Sequence, residues 1–93
     1  MTKGPHPVII ISNDKANEHA PFVTAVPLTS KEKSKYMPTH VKAKFNFLRE
    51  KSTVLCEQII SIDKKRLMRY IGTAEDTTFL YELADALQVQ LNM

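Results

Sequence analysis

Three groups of residues in this chain carry side chains able to move a proton or hold a phosphate. The first is His6, set between Pro5 and Pro7. An imidazole exchanges protons near neutral pH and can serve as general acid or base; at a frayed terminus the same residue is a solvated bystander. The second is Thr29-Ser30, followed by Lys31, Lys33 and Lys35. Each hydroxyl donates one hydrogen bond and each ammonium adds charge, a combination suited to phosphate. An ordinary hydroxyl-rich loop with a solvated run of cations has the same composition. The third is Glu57-Gln58, adjacent polar residues inside the apolar run 53–62. A carboxylate in a covered strand needs a partner or a shifted pKa, and that partner belongs either to a structural pair or to a site. Neighbours on a strand point to opposite faces, so the two do not share a pocket through one face.

Other chemistries find less support. His6, His19 and His40 are far apart, and none forms a close-spaced ligand pair with another or with Cys56, so no metal site is expected. Gly4 and Gly72 are the only glycines, which leaves no phosphate-binding glycine loop. Cys56 is the single cysteine; in an apolar run it reads as a buried structural thiol, and it excludes an intramolecular disulfide.

The elements that must position these residues follow from local pattern. Val8 to Ile11 are all β-branched and read as a strand with both faces covered, stopped by Ser12, Asn13 and Asp14. Asn13 to Pro21 reads as a polar loop. Phe22 to Leu28 resumes strand character, with Pro27 marking an edge, a bulge or the strand's end. Thr39 to Phe45 alternates: Val41, Ala43 and Phe45 make a core face, and His40, Lys42 and Lys44 a basic face in water. Asn46 to Ser52 is a polar turn. Thr53 to Ile62, apolar on both faces, reads as one central strand, followed by a charged turn at Asp63 to Arg66 and a short strand at Leu67 to Ile71 ended by Gly72. The period then becomes helical. Leu80, Leu83, Ala84, Leu87 and Leu91 share a stripe, and Thr73 to Asp76 resembles a capping box.

Ninety-three residues suit one domain, 1–93, around one modest core. A formal charge of +3 and a pI near 9.1 permit an anionic partner such as RNA without demanding one. No aliphatic run approaches a membrane span, and no apolar signal-peptide core follows a basic start, so the reading is a soluble, cytoplasmic chain with no membrane partner. Short antiparallel strands followed by one amphipathic helix make it α+β, mainly β, or a small barrel.

Taken in order, HPVIIISND at 6–14, VPLTS at 26–30, PTHV at 38–41, STVLCEQIISIDKKRL at 52–67, IG at 71–72 and the closing helix resemble the MazF/PemK family of toxin endoribonucleases. The resemblance covers nearly the whole chain. It implies a small SH3-like antiparallel barrel of the MazF/Kid/CcdB kind with a C-terminal amphipathic helix, working as a homodimer. It also implies cleavage of single-stranded RNA without metal or cofactor, by attack of the 2′-hydroxyl on its own phosphate, and so inhibition of translation and growth. The expected partner is an acidic antitoxin protein that covers the RNA groove.

Carried over by position, Thr29 matches the family's catalytic hydroxyl in an I-T-S-like motif, and Glu57 and Gln58 match an E-Q pair near the RNA groove. His6 stands where the family has a catalytic arginine before the proline of R-P-V-L-I-I, and Ile60 where many relatives have arginine. Relatives usually begin with a further strand and a glycine-rich loop, so the barrel is expected to lack one strand and to leave Val8 to Ile11 with an exposed edge. The resulting expectation is that His6 takes over acid–base duty and Thr29 orients the phosphate, with Ser30, Lys31, Glu57 and Gln58 along the RNA. The alternatives are a non-catalytic relative that binds antitoxin or RNA without cutting, and a general basic RNA-binding barrel.

Overall fold

One long strand organises the molecule. The structure, a computed structural model, describes residues 6–31, 37–67 and 70–93. In chain order its elements are β1 (Val8–Ile10), α1 (Asp14–His19), β2 (Phe22–Thr29), β3 (His40–Ala43), β4 (Ser52–Leu55), β5 (Ile60–Asp63), a 3₁₀ turn (Lys64–Arg66) and α2 (Thr77–Leu91). All the strand pairs are antiparallel, in the order β1-β2-β4-β3, with β5 also on β2. Strand β2 therefore has β1 along one edge. Along the other it pairs first with β5, through residues 22–25, and then with β4, through residues 28 and 29. Among the described residues the strands form an open, bent sheet rather than a closed barrel, with α2 packed beside β3.

Pro27 lies within β2 and interrupts nothing. The Leu28 N–H donates to the Pro7 carbonyl across β1, so the even positions of β2 direct their polar groups to that edge. Pro27 faces the other edge, where β2 passes from β5 to β4 and no ladder hydrogen bond is required of it.

Three strand readings are corrected. Thr53 to Ile62 is two strands, not one: the chain turns at Cys56 and Glu57, letting β4 pair with β3 and β5 pair with the opposite half of β2. Nor are both faces of the first strand covered. Ile9 and Ile11 pack on the core, but Ile10 is 43% exposed, because β1 is an end strand with a packed layer on one side only. The segment after Asn13 is not loop throughout: Asn13 caps α1, its side-chain oxygen accepting from the Ala16 N–H at 2.8 Å. Leu67, Tyr70 and Ile71 lie outside any strand, and the rest of that proposed strand, 68–69, lies outside the described residues.

The core joins Val26 and Leu28 of β2, Val41 and Ala43 of β3, Val54 of β4 and Cys56 to Phe79, Leu83 and Ala86 of α2. The Phe79 ring meets Phe45 edge-on, centroids 5.0 Å apart, and Phe45 stacks on Phe47. The helix is thus rotated from the stripe read in the sequence. Leu83 and, in part, Leu87 face inward, whereas Leu80, Ala84 and Leu91 are exposed. The series 79, 83, 86 is an equally good helical stripe, and it is the one that buries the large ring of Phe79. The cap also moves: Asp76, not Thr73, accepts from the Phe79 N–H at 3.0 Å. Gly72 is required where it stands, since a Cβ there would run into the Phe47 ring.

Candidate nucleic-acid interface

The residues singled out in the sequence are brought together by strand register. Val8 pairs with Pro27 and the Pro7 carbonyl accepts from the Leu28 N–H, so exposed His6 enters β1 at the end where Thr29 closes β2. Thr29 in turn pairs with Thr53 of β4, and Thr53 with Lys42 of β3. Directly opposed residues project from the same face. Thr29, Thr53 and Lys42 therefore form one transverse row, on the face opposite the core row of Leu28, Val54 and Val41, and His6 leads into β1 at the Thr29 end of it.

Within that row the polar groups are already oriented. The Thr29 hydroxyl oxygen accepts from the Lys31 N–H at 3.2 Å, which leaves its O–H to donate outward. The Lys42 ammonium donates to the Thr53 hydroxyl at 3.3 Å, so the charge is drawn back across β4 toward Thr29. Strands lie about 4.8 Å apart, which puts the Lys42 backbone roughly 10 Å from Thr29. Anchored on Thr53, its ammonium covers about half that span. Ser30 and Lys31 are exposed at the end of β2. Lys33 and Lys35 lie outside the described residues.

Glu57 is placed differently from its sequence reading. It sits at the turn after β4 rather than inside a strand, half-buried, with Gln58 exposed beside it. One carboxylate oxygen accepts from the Thr39 hydroxyl at 3.0 Å, and the other pairs with His40 Nε2 at 2.9 Å. Burial pushes the Glu57 carboxyl up. The hydrogen bonds from His40, from its own backbone N–H and from Thr39, with the charge of His40, outweigh that and hold it below its ordinary value of 4.5. A carboxylate only accepts, so His40 Nε2 carries the hydrogen of that bond.

The sequence reading missed His40 as a site residue, though two signals pointed to it. A carboxylate following an apolar run requires a partner, and the alternation of β3 had already put His40 on the Lys42 face.

The sign of a stability effect follows from the Glu57 shift. Its carboxyl holds a proton less tightly in the folded chain than in the unfolded one. It therefore stabilises the fold above the unfolded value near 4.5, and that contribution is lost as pH falls through the lower folded value. Glu57→Gln is expected to lower the thermal midpoint at pH 7 and to shrink the drop between pH 7 and pH 3.5. An acid-induced drop of the same size in both proteins would show that Glu57 is not its source.

Cys56 is fully buried, and burial together with the adjacent Glu57 charge pushes its thiol up to about 11, which makes it a core residue rather than a nucleophile. At the outer edge of β3 a cleft of about 510 Å³ is lined by Lys42 and Lys44 but also by Glu75, Asp76 and Glu82. Those carboxylates oppose phosphate and bound the basic face on that side. No described helix is long and apolar enough to cross a membrane.

Over residues 1–91 the sequence matches the family described as PemK-like, MazF-like toxin of type II toxin-antitoxin system. Among solved structures, an endoribonuclease in complex with its cognate antitoxin from Mycobacterial species has a TM-score of 0.85 at 27% identity, over 97% of this chain and 84% of that one. The Mycobacterium tuberculosis toxin MazF-mt6 has a TM-score of 0.84 at 26% identity, over 95% and 87%. A chain of the MazE-MazF crystal structure from Deinococcus radiodurans has a TM-score of 0.79 at 25% identity, over 95% and 83%.

Proposed function

Since the chain belongs to the PemK-like, MazF-like toxins of type II toxin-antitoxin systems, we propose that it is a metal-independent endoribonuclease acting on single-stranded RNA at the His6–Thr29–Thr53–Lys42 row. The observation that carries this reading is the row itself. An imidazole at the β1 end, an oriented hydroxyl and an anchored cation across adjacent strands support it. In the reaction the 2′-hydroxyl gives its proton to His6, its oxygen bonds to phosphorus, and the bond from phosphorus to the 5′ oxygen breaks. The products are a cyclic phosphate and a 5′-hydroxyl. Thr29 donates to a non-bridging oxygen, while Lys42 offsets the charge that builds on the phosphate and supplies a proton to the departing oxygen.

His40 has a separate role. It lies two residues along β3 from Lys42 and two strands from Thr29, a backbone separation of about 12 Å from strand spacing and rise. That is too far to share a phosphate with His6, so His40 holds a flanking nucleotide, with Glu57 fixing the ring. Exposed Ser30, Lys31 and Gln58 extend the same surface.

Cleavage of single-stranded RNA in the presence of a chelator tests the reading. The intact protein should cut and leave cyclic phosphate ends, and Thr29→Val should cut at least tenfold more slowly. Binding without cutting would support a silent relative instead. The residue favouring that second reading is His6, which replaces the fork-shaped phosphate grip of arginine with a single imidazole. An acidic antitoxin is the proposed protein partner, competing with RNA for this face. A homodimer is proposed as well, supported by the exposed Ile10 and Ile60 that flank Ala25 across β1, β2 and β5. A sedimentation mass of one chain at micromolar concentration would overturn the dimer.

A further inference from the structure

We infer that the far end of β2 carries a second contact for single-stranded RNA, in which Phe22 stacks on a base beside the cations of the Lys64–Arg66 turn. The inference rests on the RNA reading above and deepens it. Phe22 opens β2 and is 52% exposed, although an aromatic residue gains most from burial. It pairs directly with Asp63, the residue that caps the basic turn. One hydrogen bond ties the turn to the chain entering β2, the Lys64 N–H donating to the Pro21 carbonyl at 2.9 Å, and a second caps the turn itself, the Lys65 N–H donating to the Asp63 carboxylate at 2.9 Å. The backbone of the basic turn is thereby held beside the start of β2.

Lys65 and Arg66 are exposed and Lys64 is half-buried; among the described residues none of the three is ion-paired. Three residues per turn splay these side chains apart, so they form a positive field around the ring rather than a clamp on one anion. The nearby acids are Asp63, occupied as a cap, and Asp14 and Glu18 of α1, which also carries Lys15. Stacking is indifferent to base identity, and backbone charge is present in every strand, so the contact would tolerate any sequence. An acidic peptide would use the cations and leave the ring in water. A nucleic acid uses both.

Seven steps along β2 separate Phe22 from Thr29, about 23 Å at strand rise, and this odd spacing puts them on opposite faces, so an RNA strand that meets both must pass around an edge of the sheet. A five-nucleotide strand centred on Thr29 ends short of Phe22, and a twenty-nucleotide strand does not. The test uses the full chain, chelator, and random-sequence 2′-O-methyl RNA pools of those two lengths, read by fluorescence anisotropy. Phe22→Ala should weaken the long pool about tenfold and leave the short one unchanged, with Phe22→Tyr retaining wild-type binding. Replacing Lys65 and Arg66 together by glutamine should reduce the salt slope for the long pool by about 1.4.

Unchanged long-pool binding overturns the inference, as does an equal loss on both lengths that Phe22→Tyr does not rescue. Loss of binding to an acidic polypeptide with RNA binding intact also overturns it, and assigns the patch to a protein partner. If the wild-type chain binds neither pool, the RNA reading itself fails. If it cuts RNA while the variants match it on both pools, only the second contact fails.

Discussion

His6→Ala should lower kcat for metal-free RNA cleavage by about 10²–10⁴-fold, the usual contribution of a positioned proton acceptor. Single-turnover cleavage separates this role from simple phosphate binding: loss of a proton acceptor slows the chemical step of bound RNA, whereas loss of a phosphate contact weakens binding first. His6→Arg is the sharper variant, because it trades an imidazole for a guanidinium at the same position. Arginine grips phosphate as a fork but does not accept a proton near neutral pH. If proton exchange is the role of His6, His6→Arg binds RNA as well as the wild type and remains slow. A His6→Arg protein as fast as the wild type would assign His6 to phosphate binding. His40→Ala is the contrasting case: set on a flanking nucleotide, it should raise KM with kcat held within a few-fold.

Phe79→Ala should cost about 3–5 kcal/mol, a large part of the 5–15 kcal/mol typical of a whole domain. The ring is 6% exposed and contacts Phe45 edge-on, so truncation leaves a cavity between α2 and β3 that a short helix cannot close by shifting. Leu80→Ala, one residue along, should change stability by no more than about 0.5 kcal/mol, because Leu80 is 46% exposed. Urea denaturation of the two variants reads the rotation of α2 directly. Comparable losses would mean that Leu80 is covered, and equal small effects would mean that Phe79 does not anchor the helix.

Much of the scaffold is legible without coordinates. The alternation of Val41, Ala43 and Phe45 against His40, Lys42 and Lys44 requires a strand with one dry face, and β3 has that pattern. The run of leucines after Ala74 requires a helix, and α2 is there. Both signals are local, because side-chain direction repeats with the period of the element. Where two stripes are equally helical, periodicity does not choose between them; α2 turns on the fit of one aromatic ring into the sheet. The apolar run 53–62 fails for a related reason. Continuous hydrophobicity says that residues are covered, not that they are covered by the same neighbours, and the turn at Cys56 and Glu57 hands them from β3 to the other half of β2.

Of the candidate site, the sequence by itself determined the parts: a histidine held by prolines, a hydroxyl at the end of β2, a carboxylate following an apolar strand, and an order of motifs shared with the MazF/PemK toxins. The tertiary structure decided their company. Register across the strand pairs set Thr29, Thr53 and Lys42 in one row with His6 leading into β1 at the same end, and it brought the Glu57 carboxylate against Thr39 and His40. The physical reason is that a strand fixes which face a residue occupies, whereas what it meets on that face depends on residues tens of positions away, aligned by backbone hydrogen bonds with no signature in either segment alone.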